Sequence, residues 1–215
     1  MKKYLLIYLF IITSFSVEAQ YSLRASMGID FANTPSLNDY INQTFPVGGS
    51  PLNDFNTAIN FSGEFGYSFS NTFHLGLEIG YLLNSYNFSN DRGKFEFDYS
   101  FISPSLLGYY VVNGSGYNFK FGGGAGIRFV SVDLTFPPTN FKNTYKSTGF
   151  GLILRADGNT LLGGNFYANI GADLKYDLIP SPQSGSVKLY NSISREEVNL
   201  NSVSFGVRLG VSYIL

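Results

Sequence analysis

The 215-residue sequence contains no cysteine and no tryptophan, and only 13% of its residues are charged. Without cysteine no disulfide can hold a small fold together, so either a large core or a membrane must stabilise it. A formal net charge of −1 lacks the basic excess that a nucleic-acid partner requires. Beyond residue 19 no apolar run approaches the ~20 residues of a membrane-crossing helix. If this chain enters a bilayer it must do so as strands, because only helices and closed barrels satisfy every backbone group there. The length suits one domain.

What the chain does have is 21 Phe, 16 Tyr and 24 Gly, a composition that favours strands and tight turns. Residues 1–19 read as a cleaved signal peptide. Lys2 and Lys3 form a positive start, Tyr4 to Ile12 an apolar stretch, and Val17-Glu18-Ala19 a small-residue cleavage site. The mature chain is then expected to begin at Gln20 and to form one domain over 20–215, with a net charge of −2 once Lys2, Lys3 and Glu18 are gone.

Period-two alternation dominates the remainder and predicts eight strands. From Tyr21 to Phe31 every odd residue is apolar. The pattern recurs over 57–69, over 73–88, from Phe95 toward Val112, over 117–129, around 149–157, over 166–178 and over 203–215. In the fourth strand Phe95, Phe97, Tyr99 and Phe101 oppose Glu96, Asp98 and Ser100, and Pro104 predicts a bulge or locally broken pairing. Short connections at 70–72, 113–116 and 158–165 alternate with long ones at 32–56, 133–146 and 179–199. Short turns at one end and long loops at the other are the outer-membrane arrangement, with the short end in the periplasm. Within the first long loop, 36–41 predicts a short helix capped by Ser36.

Volume decides which face is inside. An eight-stranded barrel is barely wide enough for its own side chains, and the Phe, Tyr and Leu of every strand cannot all fit there. Facing water they would make an apolar belt far larger than a soluble monomer tolerates. The expected fold is therefore all-β: an eight-stranded antiparallel up-and-down transmembrane β-barrel with aromatics toward lipid. Tyr21, Phe31, Phe69, Phe73, Tyr117, Tyr176 and Tyr213 are expected to form its girdles.

The residues Phe119-Lys120-Phe121-Gly122-Gly123-Gly124-Ala125-Gly126-Ile127-Arg128-Phe129, Ile170-Gly171-Ala172-Asp173-Leu174-Lys175-Tyr176 and the strand Val203–Leu215 resemble the small outer-membrane β-barrel families. The likeness is especially to OmpX/OmpA-like eight-stranded barrels and to the PorT-like barrel proteins of Bacteroidetes. The resemblance spans the mature chain and implies the outer membrane as location. It also implies the lipid bilayer and the barrel-assembly machinery as partners, and it allows an accessory place in a secretion system. Such families usually end in an aromatic residue, whereas this chain ends in Leu215.

The polar face places Arg24, Glu64, Glu78, Lys120, Arg128, Arg155, Asp173, Lys175 and Arg208 in an expected structural charge network, with Asp30, His74, Glu96, Asp98 and Asp177 on the same face. Buried charges must be paired, so mutual compensation is the expected role. A polar conduit would need more radius than eight strands leave. His74, the only histidine, reads as structural, because a lone His without Cys makes a poor zinc site. The glycines at 122–124 lack the helix and the Lys-Ser/Thr of a phosphate loop and suit close backbone approach. No catalytic residue, metal or cofactor is expected. The loop segments Phe45–Gly49, Phe136-Pro137-Pro138 with Tyr145, and Arg195-Glu196-Glu197 are left either to cap the mouth or to contact a surface ligand. The expected function is a non-enzymatic structural or surface-interacting barrel, with a small pore or a lateral path for hydrophobic molecules as the alternative.

Overall fold

The structure, a computed structural model, describes residues 20–44, 57–90, 93–136 and 141–215. The expected signal peptide, the Phe45–Gly49 segment and Pro137-Pro138 lie outside the described residues. Eight long strands form the wall: β1 (Gln20–Asn33), β2 (Thr57–Ser68), β3 (Phe73–Asn90), β4 (Gly93–Gly114), β5 (Tyr117–Phe136), β6 (Phe141–Gly163), β7 (Phe166–Leu178) and β8 (Ser202–Ile214). Each pairs antiparallel with its neighbour in sequence, and β8 pairs back onto β1 from Ser22↔Ile214 to Asn33↔Val203. Closure leaves the strands no unpaired edge at the level all eight share, while above it β3 beyond Leu83 pairs with β4 and β6 before Phe150 pairs with β5. No helix among the described residues is long and apolar enough to cross a membrane. If the chain crosses one, its strands do so.

At one end the strands are joined by tight turns, with Gly116 (φ 79°) between β4 and β5 and Gly164 (φ 55°) between β6 and β7. At the other end the wall is uneven. The strands β3 to β6 have 18 to 23 residues, against 12 to 14 in the other four. The extra height corrects the expected loop at 133–146. β5 and β6 instead stay paired up to Phe136↔Phe141, because Thr144 donates to Asp133 (2.6 Å) and Lys142 pairs with it (2.9 Å) on the outside, while Val132 and Leu134 are buried inside.

That tall wall also corrects the expected faces of the fourth strand. Phe97, Tyr99 and Phe101 point inward and are buried, and Glu96 and Asp98 lie on the outer face. Lower on the same strand the outward residues are Ile102, Leu106, Tyr110 and Val112. The side-chain orientation continues without a break, but the apolar residues change sides. The same inversion occurs in β5, where Ile127 and Phe129 face out below and Val130, Val132 and Leu134 face in above. A wall that leaves lipid for water must turn its apolar side inward, so the inversion is where the upper boundary of a surrounding bilayer would fall. From Phe119 to Phe129 the outward apolar band of β5 would span roughly 25 Å at ordinary strand rise and tilt, the height of an outer-membrane apolar belt.

Pro104 leaves the pairing of β4 with β5 interrupted between Ile102↔Phe129 and Ser105↔Gly126, with the register unchanged. The missing donor costs ladder bonds without inserting a residue. The glycine run is a site of close approach. A Cβ on Gly122 would lie 2.0 Å from the Gly108 carbonyl oxygen and one on Gly124 1.9 Å from that of Leu106. The wall curls so sharply here that only glycine fits.

Two long connections close the upper mouth. Helix α1 (Pro35–Thr44) begins with Pro at its first position, which suits a residue whose N–H would be unpaired there. Ser36 therefore does not cap it, since it lies inside the helix, and Thr34 precedes the proline. The Ser36 hydroxyl instead accepts the Asn199 N–H (3.2 Å) of the last connection. That connection, 179–201, folds into two small hairpins, pairing Gln183–Ser184 with Val187–Lys188 and Tyr190–Asn191 with Glu196–Glu197. Asn191 holds it together: its side chain accepts the Ile193 (3.0 Å) and Ser194 (3.3 Å) N–H groups and donates to Gln43 of α1 (3.0 Å).

Candidate functional site

The interior has two storeys. In the upper one, Leu37, Tyr40 and Ile41 of α1 pack with Leu189, Val198 and Leu200 against Phe97, Tyr99, Phe101, Val130, Val132 and Leu134 of the tall wall. Seven of these twelve side chains are 0–1% exposed, the closeness of a packed core. Burial pushes the Tyr40 hydroxyl up to about 12, so it stays neutral at ordinary pH. Tyr145, expected at a displayed loop tip, is half-buried against this core. Arg195-Glu196-Glu197 is exposed as expected, with Arg195 in the left-handed region (φ 60°) and Glu197 held by Lys188 at 2.8 Å.

The lower storey, level with the apolar belt, is filled with charge. Inward positions of β1, β2, β3, β5, β6, β7 and β8 bring together the cations Arg24, Lys120, Arg128, Arg155, Lys175 and Arg208 and the carboxylates Asp30, Glu64, Glu78, Asp157, Asp173 and Asp177. The two sets are equal in number. At the centre Arg155 grips Glu78 with both terminal nitrogens (2.6 and 2.9 Å) and Asp173 with Nε (2.6 Å). Arg208 reaches Glu78 at 3.1 Å and Asp173 at 3.3 Å. Arg24 bridges Glu64 and Asp157, and the Tyr109 hydroxyl donates to Glu64 (2.7 Å) while accepting from Arg24 and Arg155 (3.1 Å each). Above this layer Lys175 and the Asn60 amide meet Asp30 (2.7 and 3.0 Å), and Arg128 meets Asp177 (2.6 Å) beneath the Phe101 ring.

Strands β3 and β6 are three places apart around the ring, as are β1 and β6, so the Arg155–Glu78 and Arg24–Asp157 pairs cross the lumen. What remains beside Glu78, Lys175 and Arg208 is about 20 Å³, the room of about one water molecule. The lumen is blocked at this level.

All nine residues expected in the network lie inside the barrel. Glu96 and Asp98 do not, because they sit above the inversion. Asp157 is the missed member. The alternation around Arg155 placed it on the polar face, and its partner Arg24 lies 133 residues away in sequence, out of reach of any local pattern. Among the described residues no group of three or more His, Cys, Asp or Glu could hold a metal ion.

Below the charged layer the lumen opens at the tight-turn end into a cup of about 320 Å³. Its lining is largely neutral and polar, including Ser22, Asn118, Asn159 and Ser212, with Lys120 and His74 deeper in. The His74 ring bonds Ser68 through Nδ1 (3.0 Å) and meets the Lys120 ammonium at Nε2 (3.4 Å). An ammonium only donates, so in its contact with Lys120 Nε2 is the acceptor of a neutral ring, and the same nitrogen stands 3.8 Å from Glu64 Oε1.

No protein-family model matches the chain, and no curated protein matches it in sequence. Solved structures do. A major outer membrane protein from Thermus thermophilus is similar with a TM-score of 0.55 and 14% identity, over 92% of this chain and 99% of that one. Ail, the attachment invasion locus protein of Yersinia pestis, in complex with the heparin analogue sucrose octasulfate, is similar with a TM-score of 0.50 and 12% identity over the same shares. The Escherichia coli outer membrane protease OmpT matches at a TM-score of 0.40 and 9% identity, over 94% of this chain and 98% of that one, too weakly to bear on chemistry. The fold is that of the small outer-membrane β-barrels.

Proposed function

We propose that this protein is a closed, non-enzymatic integral barrel of the outer membrane, exported by a cleaved signal at residues 1–19, whose working surface is its capped upper end. The observation that carries this reading is the double closure of the interior. A cross-lumen ion network fills the membrane level, and an apolar cap fills the level above. A conduit would need both of these storeys open, and either closure alone blocks it. A lateral path for hydrophobic molecules would need space in the upper chamber, which α1 and residues 179–200 occupy.

The outward face supports the membrane setting. Leu77, Ile79, Leu106, Leu154, Ile170 and Leu209 are each 56–63% exposed on a belt that water would not tolerate. The predicted girdle residues Tyr21, Phe31, Phe69, Phe73, Tyr117 and Tyr176 are exposed at strand ends, whereas Tyr213 is half-buried against Phe166 (4.8 Å).

Planar-bilayer recording of the purified full chain tests the closure. The expected result is no discrete conductance, and stepwise channels in the wild-type protein would defeat the reading. In the same preparation Arg155→Ala together with Glu78→Ala removes the central bar but leaves the apolar cap in place, and the expected result is again no discrete conductance.

A further inference from the structure

The closed-barrel reading does not use the cup at the tight-turn end, whose contents are arranged differently from the rest of the lumen. Each of the other five interior cations lies within ion-pair distance of a carboxylate. Lys120 alone does not, among the described residues. Its ammonium meets the neutral His74 ring and stands 5.9 Å from the centre of the Tyr109 ring. An ammonium has three donors, and His74 accepts one. A half-buried cation with donors to spare calls for an anion or water, since charge withdrawn from solvent is costly unless partnered.

The geometry points to the cup as a binding site for a single carboxylate group, seated on Lys120 and entering from the tight-turn end. Three features select this chemistry. The cup is blind, because the Arg24–Glu64–Asp157 layer closes its inner end, and its volume lies at the low end of small-ligand pockets. Its walls combine amides and hydroxyls with Val111 and Ile214, and Asn169 donates to Asn159 (2.9 Å) and Asn159 to Asn118 (2.7 Å), a neutral frame beside the anion. It offers one ammonium and no Arg fork, because the Arg24 guanidinium just beneath is taken up by Glu64 and Asp157. A monoanion matches one free ammonium, and a dianion such as phosphate would lack a second cation.

The site can be read through its own reporter, because His74 is the only histidine and gives one set of imidazole resonances without assignment by mutation. The full chain in detergent micelles, labelled on histidine, is titrated at about pH 8, where free imidazole is neutral. The probes are acetate, a tripeptide with a free C-terminal carboxylate, acetamide and inorganic phosphate. A saturable His74 shift with a carboxylate and none with acetamide is expected. Tighter binding of acetate identifies a small free acid, and tighter binding of the tripeptide identifies a chain end.

Lys120→Gln should weaken the response roughly tenfold or more, as loss of a charge-assisted hydrogen bond would. Lys120→Arg should keep it. Ser212→Leu narrows the mouth without touching Lys120 and should also weaken it, a second check if Lys120→Gln fails to fold. The inference is overturned by the absence of a saturable shift, by an equal response to acetamide, by tighter binding of phosphate, or by an unchanged response in both Lys120→Gln and Ser212→Leu. None of these outcomes depends on whether the barrel conducts.

Discussion

The lower lumen and the upper chamber are enclosed by the same strands but are filled with opposite chemistry. At the membrane level the outside is apolar and the inside holds six cations and six carboxylates. Above it the outside of β4 to β6 carries Asp98, Asp133, Lys142 and Lys146, and the inside is an aromatic and aliphatic core. The difference follows from the solvent. Lipid accepts the apolar face and leaves polar groups to satisfy one another inside, whereas water accepts the polar face and drives the apolar side inward. The lower storey is held by directed ion pairs between distant strands. The upper storey is held by packing of a cap that arrives from two other parts of the chain.

If that contrast is right, the two storeys should fail in different ways. The largest effect is expected from Arg155→Met, which removes the shortest ion pairs of Glu78 and Asp173 and leaves Glu78 to Arg208 and Asp173 to Arg208 and Lys175; it should cost about 3 kcal/mol by urea unfolding in lipid vesicles. Adding Glu78→Leu should recover part of that loss; a doubly replaced protein no more stable than Arg155→Met alone would show that pairing is not what holds the lower storey. Phe97→Ala should cost about 3 kcal/mol in the upper chamber. Its signature should be local. Protease cleavage within 179–200 is expected to accelerate while the heat-modifiable gel shift of the barrel persists, and simultaneous loss of both would mean that the storeys unfold as one.

A smaller effect is expected where the wall itself bends. Gly124→Ala places a Cβ against the Leu106 carbonyl and should destabilise by about 1–3 kcal/mol, whereas alanine at Gly63, with nothing within 4 Å, should be tolerated. Equal urea midpoints for the two variants would argue against a tight curl at 122–126.

The smallest effect belongs to the exposed contact between Lys188 and Glu197 on the cap. The lysine hydrogen bond holds the Glu197 carboxyl below its usual range. Its contribution is therefore present above the unfolded carboxyl value and is lost as pH falls through the lowered folded value. Protection factors of the 187–198 amides, taken against the intrinsic exchange rate at each pH, should fall slightly between about pH 7 and pH 3, and Lys188→Ala should remove the part of that change due to this pair. The bulk of the cap, held by apolar packing, should show little dependence.

The strand pattern was legible in the alternation because a two-sided wall between unlike media writes itself into every second residue. The antiparallel order was legible in the short connections at 70–72 and 113–116, whereas the long connection expected at 133–146 is mostly paired strand. The fourth strand was misread at 95–101 by the same rule. Period two says that two faces differ, but not which medium each face meets, and a strand that passes from lipid to water keeps its period while reversing its meaning. The hairpin across 133–146 was hidden likewise, since Lys142, Thr144 and Asp133 look like loop residues until they are seen paired on the outside of a wall in water.

The sequence by itself determined the eight strands, their apolar face at membrane level and most of the charges that lie inside, with Asp157 missed and Glu96 and Asp98 assigned to the wrong face. These are consequences of local alternation and of volume. Only the tertiary structure decided which charge meets which. Arg24 with Asp157 and Arg155 with Glu78 are separated by 133 and 77 residues and are joined only by closure of the ring. The same closure leaves Lys120 without a carboxylate, and it brings α1 and residues 179–200 together over one mouth. Pairing across a lumen depends on strand order and register around the whole barrel, which no stretch of sequence carries alone.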